Sequence, residues 1–236
     1  MHTVEVCFTP EDYHLYKKDN QAVVVIDVLR ATSVICSALY HGVSKVIPVE
    51  TLEDAEKYLD KGYLVAGERN GEKVKSFALG NSPLAFVSGE YHGHELVIST
   101  TNGTRAINTA MDAEQLLIGS LLNAQSIINH LLIQEMDVLL LCSGWKGKTN
   151  LEDSICAGYI AQQLKESKRF ESEEDSTLIS INLFESAQTN PYSFLKGSSH
   201  RRRLLKLGLA KDIKFCLKAN ALDIVPYYSS GIICKL

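Results

Sequence analysis

A chain of 236 residues with 45% hydrophobic and 22% charged side chains is long enough for one large α/β domain and too apolar to stay disordered. A net charge of −4 supplies no field for nucleic acid, and no apolar run approaches the roughly 18 residues that a membrane helix requires. Residues 1–9 lack the basic start and apolar core of a secretory signal, and the six scattered cysteines form no Cys-x-x-Cys pair, so a cytoplasmic protein without nucleic-acid or membrane partners is expected.

In chain order, residues 4–8 read as a first strand and 11–17 as a short surface helix or turn. The stretch that organises the chain is 22–33, Ala-Val-Val-Val-Ile-Asp-Val-Leu-Arg-Ala-Thr-Ser. Its five leading apolar residues do not alternate with polar ones, which predicts a strand buried on both faces of a parallel sheet. A helix over 34–40, a strand over 45–49, a helix over 51–60 with Thr51 as N-cap and a strand over 63–66 follow. This βαβαβ succession predicts a parallel sheet with right-handed crossovers. Between 67 and 89 the periodicity lapses, and Gly67, Gly71, Gly80, Asn81 and Pro83 mark a long loop of the kind that usually carries function.

Strands at 95–99, 115–118 and 138–141 then alternate with helices that begin near Arg105 and span 123–133 and 151–166. An acidic, solvated connection at 170–175, helices at 176–186, 199–207 and 211–220, and two short strands at 224–228 and 231–234 complete the chain. The expectation is one domain over residues 1–236, three-layer α/β/α, with a largely parallel or mixed sheet that two lobes around one cleft would accommodate.

The apolar run at 22–26 stops at a charge. Asp27 stands at the carboxyl end of its strand, where open α/β sheets keep their ligand crevices, and Arg30, Thr32 and Ser33 follow before the helix. Helix N–H groups and Arg30 favour an oxyanion, which Asp27 would repel unless a cation lay between them. Three further loops share this construction. Gly67-Glu68-Arg69 brings an oxygen ligand and a guanidinium. Residues 99–105 offer Thr100, Thr101, Asn102, Gly103 and Thr104 as phosphate donors. Residues 143–148 precede Glu152 and Asp153 in a first helical turn, with Lys146 and Lys148 nearby. Asp27, Glu68, Glu152 and Asp153 are the candidate ligands of a magnesium ion, and the reading is a metal-assisted site for a small anionic phosphorylated substrate. Cys142 lacks the Arg six positions on that a cysteine phosphatase loop needs, since Lys148 stands there, and Leu29 occupies the place where a haloacid-dehalogenase phosphatase has its second Asp.

At this length of match the chain resembles the 2-phosphosulfolactate phosphatase (ComB) family. The residues that carry the resemblance are Asp27-Val28-Leu29-Arg30-Ala31-Thr32-Ser33, Gly67-Glu68-Arg69, Leu79-Gly80-Asn81-Ser82-Pro83, Thr100-Thr101-Asn102-Gly103-Thr104, and Leu151-Glu152-Asp153 with Ala157-Gly158. The resemblance implies a magnesium-dependent phosphatase converting (R)-2-phospho-3-sulfolactate to 3-sulfolactate and phosphate, a step toward coenzyme M in methanogens. Asp27, Arg30, Arg69 and Glu152 are the candidate catalytic residues, and Thr32, Ser33, Asn81, Ser82, residues 100–104 and His200 the candidate substrate contacts. Ser76-Phe77-Ala78, Ser199-His200-Arg201 and Asn220 depart from the family's usual residues at the substrate end. Direct attack of water is expected over an acyl phosphate on Asp27, because Leu29 cannot act as the nearby acid. The competing readings are an isochorismatase-like hydrolase using Cys142 and a phosphometabolite-binding protein without turnover. A homo-oligomer is left open.

Overall fold

The computed structural model describes residues 1–236. Eleven strands form one sheet: β1 His2–Cys7, β2 Gln21–Ile26, β3 Lys45–Pro48, β4 Leu64–Arg69, β5 Glu72–Lys73, β6 Glu95–Ser99, β7 Gln115–Gly119, β8 Asp137–Cys142, β9 Phe170–Glu171, β10 Pro226–Ser229 and β11 Ile232–Lys235. Their spatial order is β5-β4-β6-β3-β11-β10-β7-β2-β8-β1-β9. Ten helices accompany them: α1 Tyr13–Tyr16, α2 Ala31–Tyr40, α3 Leu52–Glu56, α4 Gly103–Thr109, α5 Ala124–Ile133, α6 Leu151–Glu166, α7 Asp175–Ala187, α8 Pro191–Phe194, α9 Ser199–Lys206 and α10 Ala210–Cys216.

The central strand shows why three layers form. All six residues of β2 are buried. Ala22, Val24 and Ile26 join a core of 29 buried residues that includes Ile127 of α5, Ile160 of α6 and Leu204 of α9. Val23 and Val25 point the other way, into a core of 26 that includes Ile35 of α2 and Ile107 of α4. Strand alternation thus divides one apolar run between two helical layers.

The sheet is mixed in a way that the βαβαβ expectation did not anticipate. Strands β7, β2, β8, β1 and β9 are parallel to one another, and so are β3, β6 and β4. Between the two groups sits the C-terminal hairpin, with β10 antiparallel to β7 and β11 antiparallel to β3. The groups therefore run in opposite senses, and β2-α2-β3 is not a crossover between parallel neighbours. Five strand steps separate β6 from β2, and the normal twist accumulates to roughly 100° over that distance, turning the two groups' carboxyl ends toward one another. They meet where a Cβ on Gly103 would lie 2.4 Å from Ala31 Cβ, so only glycine allows α4 to abut α2.

Other differences are local. The strand expected over 63–66 continues to Arg69, because Gly67 pairs with Ser99 of β6 and Glu68 with Lys73 of β5. Helix α3 is five residues long, and the acidic connection contains β9, which pairs with His2 and Thr3. Thr51 caps α3 as expected, its hydroxyl accepting the Asp54 N–H at 3.0 Å.

Candidate active site

Asp27 leaves β2 to line a narrow, mostly polar recess. Its backbone is fixed by Thr32: the Asp27 N–H donates to Thr32 Oγ1 at 3.0 Å, and the Thr32 hydroxyl and N–H donate back to the Asp27 carbonyl at 2.9 and 3.0 Å. The Ser33 hydroxyl donates to the Val28 carbonyl at 2.8 Å. Thr32 and Ser33, expected as substrate contacts, are instead fully buried and hold this turn. The Asp27 carboxylate is 7% exposed and accepts the Ala31 N–H at 3.3 Å. Burial raises its pKa to about 6; the Glu68 carboxylate pushes the same way, while His200, the Ala31 N–H and the Ser143 hydroxyl oppose.

Glu68 and Arg69 part company. Because both belong to β4, their side chains leave on opposite faces. Glu68 faces the recess with Asp27, and its two oxygens bind the walls together: Oε2 accepts the Gly71 N–H at 2.6 Å, and Oε1 accepts the N–H and hydroxyl of Thr101, both at 2.9 Å. Arg69 lines a neighbouring recess with Thr51 and Arg105, donating to the Glu68 carbonyl at 2.7 Å and to Ser99 Oγ at 3.2 Å. Arg69 thus stands one recess away from Asp27, and Thr100 and Thr101 line both recesses.

Arg30 does reach the recess. Its guanidinium is held from behind by Asp212 of α10, Nη1 to Oδ2 at 2.5 Å, and Nη2 donates to the Gly71 carbonyl at 3.2 Å. Ser82, expected to touch substrate, donates to the other Asp212 oxygen at 3.0 Å and supports this pair. Thr104 likewise supports rather than lines, its hydroxyl donating to the Thr100 carbonyl at 2.7 Å. Gly103 supplies clearance, since a Cβ there would come within 3.0 Å of Asp27 Oδ2. Asn81, Thr100, Thr101, Asn102 and His200 line the recess as expected. Asn81 Oδ1 is buried without a donor.

The acidic pair opening α6 lies behind this surface. Asp153 is fully buried, and both its oxygens are occupied: Oδ1 accepts the Val28 N–H at 2.8 Å, and Oδ2 accepts Ser143 Oγ at 3.0 Å and Asn150 Nδ2 at 2.8 Å. Its pKa is raised by burial and then by the charges of Asp27 and Glu152. Three donors fix it as the brace of the Asp27 turn. Glu152 is fully buried; Oε1 bonds His200 Nδ1 at 2.5 Å, and Oε2 has no partner. No three of the chain's histidine, cysteine, aspartate and glutamate side chains converge closely enough to hold an ion by themselves. Of the four carboxylates expected from sequence, Asp27 and Glu68 line the recess, while Glu152 and Asp153 lie buried behind it. Cys142 is buried in the core at the end of β8, and burial raises its thiol pKa far above the ordinary value, which removes it as a nucleophile.

Three cleft features escaped the sequence reading: Asp212, Trp145 and Arg203. Arg203 projects from α9 into the recess and lies over the Trp145 ring, 4.2 Å from its centroid. No local pattern marks them; a charged residue beside the buried Ile213 and Leu204 is the only trace.

The family model described as 2-phosphosulpholactate phosphatase matches residues 7–231. Over 237 residues the chain is 40% identical to the probable 2-phosphosulfolactate phosphatase of Caldanaerobacter subterraneus subsp. tengcongensis, covering 99% of this chain and 97% of that protein. The protein of the same name in Carboxydothermus hydrogenoformans is 41% identical over 226 residues, covering 94% and 92%. That of Thermotoga maritima is 40% identical over 209 residues, covering 89% of each chain.

Proposed function

This chain belongs to the 2-phosphosulpholactate phosphatase family and is a phosphoric monoester hydrolase, and we propose that its cleft converts 2-phospho-3-sulfolactate to 3-sulfolactate and phosphate with magnesium bound. The observation that carries this reading is convergence. Asp27, Arg30, Glu68, Asn81, residues 100–102 and His200 come from five separated parts of the chain and line one recess.

Asp27 and Glu152 would hold the ion. Asp27 lines the recess, Glu152 keeps a buried oxygen without a donor, and magnesium needs only one or two carboxylates beside waters and substrate phosphate. When bound, the ion supplies Lewis-acid polarisation of a phosphoryl oxygen and an activated water. On the lining Asp27 and Glu68 face Arg30 and Arg203, and beside it Glu152 keeps a carboxylate oxygen without a donor that a cation would occupy.

Arg30 binds the phosphoryl oxygens. Its anchoring to Asp212 and the Gly71 carbonyl means that little ordering remains to be done when charge builds in the transition state. His200 has its Nδ1 committed to Glu152, so Nε2 is the nitrogen left for the substrate; when both nitrogens carry protons, it donates to the departing alkoxide oxygen. Water rather than the Asp27 carboxylate attacks phosphorus in this reading, because Asp27 is assigned to the ion. The test is phosphate release from 2-phospho-3-sulfolactate by the purified protein, with magnesium and with EDTA. Release that EDTA abolishes and magnesium restores is expected; no release, or release indifferent to EDTA, contradicts the reading.

A further inference from the structure

The cleft contains two guanidiniums, and they differ in one respect. Arg30 is paired with Asp212, and His200 is hydrogen-bonded to Glu152; Arg203 has no such carboxylate partner. Arg203 Nε is buried without a hydrogen-bond partner, and the guanidinium is pressed on the face of Trp145. Removal from water lowers its pKa, with Glu68 and Glu152 pulling it partly back. A part-buried cation that lines a cleft and holds a buried donor without an acceptor is an anion receptor awaiting its anion.

We propose that Arg203, laid on Trp145, receives the sulfonate of the substrate and sets the preference for a sulfonated over a plain 2-phospho-hydroxyacid; this rests on the function proposed above. The substrate carries three anionic groups: a phosphate on the C2 oxygen, a carboxylate at C1 and a sulfonate at C3. Arg30, three residues past Asp27 and fixed by Asp212, is committed to the phosphoryl end. Arg203 reaches the recess from a different element, one helical turn beyond His200 on the same face of α9. A sulfonate spreads its charge over three oxygens and is weakly hydrated. A guanidinium backed by an indole suits it better than a strongly hydrated ammonium does. Lys146 and Lys148, the sequence's candidates for this end, are exposed and stand outside the recess lining.

The experiment compares kcat/KM for 2-phospho-3-sulfolactate and for 2-phospholactate, in which a methyl group replaces the sulfonated carbon. For Arg203→Met, the sulfonated substrate should lose about ten- to a hundredfold, the range for a hydrogen-bonded charge, while 2-phospholactate changes less than about twofold. The preference for sulfonate then collapses, and retained 2-phospholactate hydrolysis shows that the variant is folded. Equal loss on both substrates by a variant that melts like the wild type, or no loss on either, overturns the assignment. Should the methionine variant not fold, Arg203→Lys carries the test. It keeps the charge and loses the planar fork, so a several-fold fall in the substrate ratio is expected, and an unchanged ratio overturns the proposal. Failure of the underlying function looks different, because the wild-type protein would then hydrolyse neither compound.

Discussion

Replacing Asp212 by asparagine should destabilise the protein and disable it together, for one electrostatic reason. The Arg30 and Asp212 side chains are 4% and 8% exposed and meet at 2.5 Å, so water is a poor substitute for either partner. Removing one member of such a pair strands the other, which costs about 3–5 kcal/mol, whereas removing both with apolar replacements costs far less. Asparagine keeps an acceptor for the Ser82 hydroxyl, and Arg30 retains the Gly71 carbonyl and an opening to the cleft. The lower end, about 3 kcal/mol, is therefore expected, or roughly a hundredfold in the folding equilibrium. Urea denaturation in EDTA measures it. The paired variant Arg30→Met with Asp212→Leu should recover much of that stability yet release phosphate on the order of a hundredfold more slowly, because the clamp is gone. Inorganic phosphate should raise the melting temperature of Asp212→Asn more than that of the wild type, since it offers Arg30 a substitute anion. A single variant within about 0.5 kcal/mol of wild type, or a paired variant no more stable than the single one, would refute the reasoning.

Asp27→Asn should abolish turnover and stabilise the fold: the carboxyl's pKa rises from 3.8 to about 6 through burial, so the folded state binds its proton more tightly than the unfolded one. Stability from this group is full below about pH 4 and is lost as pH rises through 6, roughly 3 kcal/mol at most, so in EDTA the variant should exceed wild type at pH 7.5 and match it near pH 4; a less stable variant at pH 7.5 contradicts this. Arg69→Met should change kcat by less than about fivefold while Arg30→Met costs on the order of a hundredfold; equal losses would return Arg69 to the site. A single turnover in oxygen-18 water should leave the Asp27 carboxylate unlabelled by mass spectrometry, and label there would establish an acyl phosphate. Ile233→Asp should unfold the whole chain cooperatively, since Ile233 is fully buried where β11 meets Val46 of β3; a variant that melts normally and stays active would show the hairpin to be dispensable.

Periodicity was informative wherever an element's burial is local. The run at 22–26, the strand Glu95–Ser99 and the helix Leu151–Glu166 stand where the spacing placed them. The end of β4 was harder, because Gly67 has no side chain to report burial and Glu68-Arg69 reads as a polar turn. What keeps these residues extended is pairing with Ser99 and Lys73, distant in sequence. Those three residues matter to the site, since Glu68 faces the recess of Asp27 and Arg69 the adjoining one. The C-terminal strands were visible as strands, but nothing in 224–234 indicates that they join two oppositely directed groups. That depends on the free edges of β7 and β3. Asp212 was invisible for a similar reason, its partner lying 182 residues away.

The motif segments were legible as segments and ambiguous within themselves. Of 27–33, Asp27 and Arg30 face the cleft while Thr32 and Ser33 face backbone; of 100–104, the first three face the cleft while Gly103 and Thr104 shape its wall. Both kinds of residue belong to the same constraint. A carboxylate 7% exposed, pushed up to about 6 by burial, stays where it is only if the turn beneath it cannot relax away from the cost. Thr32 closes that turn with three hydrogen bonds, and Asp153, through the Val28 N–H, holds its other side. Side-chain chemistry alone therefore cannot separate the group that meets substrate from the group that keeps it in place, because a site accurate to a fraction of an ångström requires both.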